Sequence, residues 1–70
     1  MNEESDIRQR VGKQIAEMRQ RKGLSQRQLA EISGVGNAHI ARIELGKYNV
    51  RIDILDKLAE ALGGKLEITE

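Results

Sequence analysis

SQRQLAEISGVGNAHIARIEL, residues 25–45, holds two helix-length segments separated by Gly34-Val35-Gly36. Ser25 followed three residues later by Gln28 is a capping-box signature, so a helix begins just after Ser25. Leu29 and Ile32 are expected on its inner side, Arg27 and Glu31 on its outer side, and Gly34 stops it. Val35 then turns into the core. Gly36 is an acceptable, if weak, N-cap, and a second helix runs from Asn37 to about Leu45, ended by Gly46.

A short turn with Gly at the bend is the connection of a helix-turn-helix unit. In such units the second helix enters the major groove of DNA, N-terminus first, while the first helix crosses the backbone. Helical geometry, about 100° per residue, tests whether the second helix has a free face. With Ile40 inward, Ile43 and Glu44 fall beside it, whereas Ala38, Arg42 and Leu45 fall near the opposite side. Asn can bond adenine bidentately, Ala can touch a thymine methyl and Arg can pair with guanine O6 and N7. Asn37, Ala38 and Arg42 are therefore the expected base contacts. Gln26, in the first turn of the preceding helix, is placed to meet a phosphate or to brace Asn37, and the free N–H groups there also suit an anion. Arg27, Lys47, Tyr48, Asn49 and Arg51 are candidates for further phosphate contacts. Tyr48 could equally pack on the following helix, and His39 is read as an exposed flank residue.

On the N-terminal side, Asp6 and Gln9 resemble another capping box, and Ile7, Val11, Ile15 and Met18 follow at helical spacing up to Gly23. Gly12 inside this helix costs about 1 kcal/mol relative to Ala, which implies close packing there. On the C-terminal side, a last helix is expected from about Arg51 to Leu62. It carries two apolar stripes: Ile52, Leu55, Ala59 and Leu62, and beside them Ile54, Leu58 and Ala61. A small helical domain needs one such stripe, so the second is read as a dimer seam, with ordinary core as the alternative. Gly63-Gly64 breaks the helix, and residues 65–69, KLEIT, alternate as a strand does. A lone strand has no partner within an otherwise helical chain. Leu66 and Ile68 are therefore expected to pair across two subunits, or else to fold back onto their own domain.

Composition narrows the function. Seventy residues with a net charge of +1 make one small domain. The charge is unevenly spread: residues 8–51 carry ten basic and three acidic side chains, while residues 1–7 and 52–70 each carry a net charge of −3. A basic middle between acidic ends suits a polyanion-binding face on a nearly neutral molecule. The absence of cysteine and the single histidine leave no disulfide, metal or haem constellation and imply no cofactor. Ser5, Ser25 and Ser33 share that one histidine and no glycine-rich phosphate loop is present, so an enzyme is the poorest reading. The acidic start is unlike a signal peptide and no apolar run could span a bilayer. The expectation is a cytoplasmic protein without membrane contact.

The motif G-L-S-Q-x-x-L-A-x-x-S-G-V followed by I-A-R-I-E-x-G-K resembles the lambda-repressor-like (Cro/cI, XRE-type) helix-turn-helix family over roughly residues 7–62. The resemblance implies an all-α, compact four-helix domain that binds operator DNA as a homodimer, with Gln26, Asn37, Ala38 and Arg42 facing bases or bracing residues that do. It also pairs Glu44 with Arg19. Arg19 independently falls on the inner side of its helix with Ile15 and Met18, where a charge needs a partner. Leu45 departs from the polar residue common in the family, and Val50-Arg51 from its usual helix start. The C-terminal strand is similar to that of helix-turn-helix antitoxins. The expected organisation is a flexible acidic segment (1–6), the DNA-binding domain (7–62), and a Gly-Gly hinge with a short strand (63–70). The expected function is a transcriptional regulator, a repressor, on a pseudo-palindromic operator. The alternatives are an antitoxin that binds a toxin and autoregulates its operon, and a helical interaction module without DNA binding. The dimer interface is expected at Ile54, Leu58, Ala61, Leu66 and Ile68.

Overall fold

The computed structural model describes residues 3–68, with side chains from Ile7 onward. Four helices follow in order: α1 (Glu3–Arg21), α2 (Gln26–Ser33), α3 (Asn37–Leu45) and α4 (Ile52–Ala61). α3 packs against both α1 and α2, and α2 in turn packs against α4. The core is built from Ile15, Leu29, Val35, Ile40, Ile43, Leu58 and Leu62, so each helix and the α2–α3 turn contribute to it.

Local chemistry explains most of the boundaries. The Ser25 hydroxyl accepts from the Gln28 N–H at 3.0 Å, and the Gln28 side chain accepts from the Ser25 N–H at 2.8 Å, which fixes the start of α2. Gly34 closes α2 in the left-handed region, and the Val35 N–H donates to the Ser33 hydroxyl at 3.1 Å across the turn. α1 starts earlier than the expected cap: Asp6 lies inside the helix, and its side chain is outside the described residues. Gly12 is where α1 crosses α3. A Cβ there would collide with the Ile43 carbonyl oxygen, so glycine is what lets the two backbones touch. Gly46 serves the same crossing from the other side. It ends α3 at φ +76°, and a Cβ on it would lie 2.7 Å from the Gln9 Cα.

Three expectations are corrected. Ile32 is 57% exposed. The buried side of α2 is centred on Leu29 and includes half-buried Gln26, Ala30 and Ser33, which rotates Ile32 out. On α4 the core draws on both stripes, through Leu62 of the first and Leu58 of the second. Leu58 is fully buried at the centre of the core, and Ile54 and Ala61 pack against it, so this stripe is consumed within the chain and Leu58 cannot serve as a dimer contact. Ile52, expected inside, is 73% exposed. Finally, the described residues include no strand, and residues 64–68 are irregular. Leu66 instead lines a groove between α1 and α4, with Val11, Ile15, Met18, Leu55 and Ala59, while Ile68 is 100% exposed. An isolated strand lacks the neighbouring backbone that would satisfy its N–H and C=O groups.

Candidate nucleic-acid interface

Burial of Ile40 and Ile43 fixes the rotation of α3, and with it the side chains α3 shows to the outside. Asn37, Ala38 and Arg42 are all exposed, and Leu45, 69% exposed, extends the same face at its far end. α3 has no side-chain cap on Gly36. Arg27 of α2 and Lys47, Tyr48, Asn49 and Arg51 of the α3–α4 connection are exposed as well. Arg51 donates to Asp53 at 3.2 Å. That pair is solvent-exposed and therefore weak enough to be exchanged for another anion.

The position of α3 is held from behind by one carboxylate. Arg19 of α1 meets Glu44 in a two-pronged pair, Nε to Oε2 at 2.8 Å and Nη2 to Oε1 at 3.0 Å, with side chains only 12% and 8% exposed. The third prong of the guanidinium, Nη1, donates to the Leu24 carbonyl at 2.8 Å. Hydrogen bonding to Glu44 raises the Arg19 pKa above its ordinary value, burial opposes this, and the Glu44 charge adds to it. Arg19 thus stays charged throughout the working pH range. The Gln26 amide nitrogen also donates to Glu44 Oε1, at 3.0 Å. Gln26 is therefore committed to Glu44 rather than to Asn37, a correction to the expected brace. α1, α2 and α3 are tied together by three side chains.

Two further features escape a reading of spacing alone. His39 is half-buried rather than an exposed flank residue, and its ring stands edge-on to Tyr48 with centroids 5.1 Å apart. The Gln26–Glu44 bond depends on how α2 and α3 cross, which no periodicity within one helix reports. Of the expected contacts, Asn37, Ala38, Arg42, Arg27, Lys47, Asn49 and Arg51 all reach the surface, and Tyr48 is split between surface and packing. Among the described residues no group of side chains could hold a metal ion, and no helix is long and apolar enough to cross a membrane.

A capped helix, a glycine turn and a second helix with one buried face and one exposed face that carries Asn37 and Arg42 define a helix-turn-helix domain. The helix-turn-helix family model matches residues 15–68, and the chain belongs to that family, in its XRE-type branch, which is one of transcriptional regulators and not of enzymes. It is similar to an uncharacterized HTH-type transcriptional regulator of Haemophilus influenzae, 43% identical over 65 residues that make up 93% of this chain. It is also similar to the HTH-type transcriptional regulator PuuR of Escherichia coli, 44% identical over 52 residues and 74% of this chain. The chain spans 66% of the Haemophilus protein and 28% of PuuR. Among solved structures, a toxin–antitoxin module from Streptococcus pneumoniae superimposes with a TM-score of 0.75 at 39% identity, covering 96% of this chain and 74% of that one.

Proposed function

We propose that this chain binds double-stranded DNA with α3 in the major groove and represses transcription as a homodimer on a pseudo-palindromic operator. The observation that carries this reading is the division of α3 into a wholly buried face, Ile40 and Ile43, and an exposed face, Asn37, Ala38 and Arg42, with exposed cations at Arg27, Lys47 and Arg51 on the neighbouring segments. Asn37 and Ala38 lead the helix and reach base edges first, and Arg42 follows about one turn later. The leading N–H groups of α2 and the side chains of Arg27, Lys47, Asn49 and Arg51 take phosphates, with the Tyr48 hydroxyl as a further donor. One copy reads few base pairs, so two copies on half-sites about 34–36 Å apart supply the specificity. The test is selection of bound duplexes from a random pool, followed by stoichiometry on the winner. A two-fold symmetric consensus binding two copies is expected; no binding to any duplex at low salt would overturn the reading.

A second reading rests on the toxin–antitoxin neighbour: the chain is an antitoxin that also binds its own operator. Co-expression with the product of the adjacent gene separates the two. Rescue of growth and co-purification with that product would favour the antitoxin.

A further inference from the structure

An apolar groove runs between α1 and α4. Two adjoining cavities of about 130 and 120 Å³ run along it, sharing Val11 and Leu55. Ile7, Arg8 and Tyr48 line the first, and Lys65 and Leu66 line the second. Ile52 lies one turn before Leu55 on the same side of α4 and is 73% exposed, while Ile7 of α1 is 49% exposed. Ile7 and Leu66 line the groove and Ile52 lies on the α4 side that faces it, a grouping of exposed apolar side chains that marks an interaction surface.

The two banks differ in charge. On α1 the rim continues from Gln14, which lines the groove, to exposed Arg10 one turn earlier. On α4 it continues from Ile52 to exposed Asp56 one turn later. A two-fold axis running along such a groove lays α1 of each copy over α4 of the other, because a half-turn about it exchanges the banks. Each Arg10 then faces the Asp56 bank of its partner, and Ile52 and Ile7 of the two copies close over one another. An axis perpendicular to the groove would instead set like banks against each other. A groove with opposite charges on its two sides is thus self-complementary in the way an isologous contact requires.

We infer that the α1–α4 groove is the seat of a second copy of this chain, with Ile7, Val11, Ile52 and Leu55 at the centre of the contact and Arg10 and Asp56 at its rim. The inference rests on the homodimer reading and relocates its seam from the Ile54–Leu58–Ala61 stripe to the neighbouring Ile52–Leu55 side of α4.

The test measures dimer dissociation by sedimentation equilibrium on the full chain. Ile52→Glu is expected to raise the dissociation constant at least about tenfold, with the thermal melt of the monomer unchanged because Ile52 is not in the core. Arg10→Glu and Asp56→Arg are each expected to weaken the dimer severalfold. Mixing these two variants should restore it, since both cross-pairs become opposite in charge. Single variants that dimerise as tightly as the parent would overturn the groove contact while leaving the homodimer intact. A parent chain that stays monomeric and binds the selected operator as one copy would overturn the homodimer reading itself. A parent that is monomeric until it binds a co-expressed protein, with binding lost in Ile52→Glu, would give the groove to that protein and overturn the second copy.

Discussion

Glu44 sits where three helices meet, and its carboxylate accepts from Arg19 twice and from Gln26 once. Burying an ion pair is often close to neutral in stability, but removing one member strands the other. Arg19→Met would leave Glu44 with a single amide donor and would also free the Leu24 carbonyl. The pair is at the edge of the core, so the cost falls below that of a fully buried charge, at about 2–4 kcal/mol. In a domain of this size that lowers the melting temperature by roughly 10 °C or more, measured by circular dichroism on heating; an unchanged midpoint would show the pair to be incidental. The raised Arg19 pKa gives stability that is present below its ordinary value and lost only on rising through the higher folded value. Moderately alkaline solution should therefore not weaken this contact. Arg42 carries the opposite kind of prediction, since it is exposed and lies outside the core. Arg42→Ala should leave the melt unchanged, cost about 1–3 kcal/mol of operator binding and relax base preference, whereas Lys47→Ala should weaken operator and random duplex alike. Equal loss on both duplexes for Arg42→Ala, read in a competition binding assay, would remove its reading role.

At the scale of elements, Gly12 and Gly46 set how closely α1 lies on α3. Helix propensity alone favours Gly12→Ala by about 1 kcal/mol. The structure reverses the sign, because the new methyl would press on the Ile43 carbonyl and force the helices apart at the point that positions Glu44. A net loss of about 1–3 kcal/mol is expected, seen as a lower urea midpoint; a gain in stability would mean the crossing yields easily. Much of the architecture was legible because it rests on local chemistry. The Ser25–Gln28 box, the glycine stops and the Ile40–Ile43 spacing each act within a turn or two of the chain. α4 was legible only as a doubly apolar helix. Its stripes lie side by side, and which of them meets α2 depends on the direction from which α2 arrives, information that no periodicity within residues 52–62 contains. Ile32 was misplaced for the same reason: in an eight-residue helix, the buried side is chosen by Leu29 and its neighbours on α3 and α4. The Arg19–Glu44 pair was accessible because the family resemblance implies it and an inward Arg19 demands a partner. The Gln26 bond to that pair was not, since a glutamine at a helix start has several satisfactory uses.

For the whole molecule, a net charge of +1 conceals a polar distribution: cations gather on residues 8–51 and a net charge of −3 lies on residues 52–70, which include α4. An acidic end beside a basic middle limits non-specific attraction to nucleic acid and suits a directed cationic face. This arrangement has a measurable consequence for stoichiometry. Each phosphate neutralised by a cation releases counterions, so the logarithm of the binding constant falls with the logarithm of salt at about 0.9 per contact. If Arg27, Lys47 and Arg51 take phosphates while Arg42 takes a base, one copy should show a slope of about −3, and two copies binding one operator together a slope of about −5. Fluorescence anisotropy across a salt series measures this directly. Lys47→Ala should then reduce the slope of the pair by about 2, one contact from each copy, whereas Arg42→Ala should lower affinity with little change in slope. A slope near zero would mean that the cations around α3 do not face the backbone, and the docking of α3 in the groove would fall with it. A slope of about −3 on a symmetric operator would mean that each half-site is filled independently, and that the second copy contributes sequence length without cooperative phosphate binding.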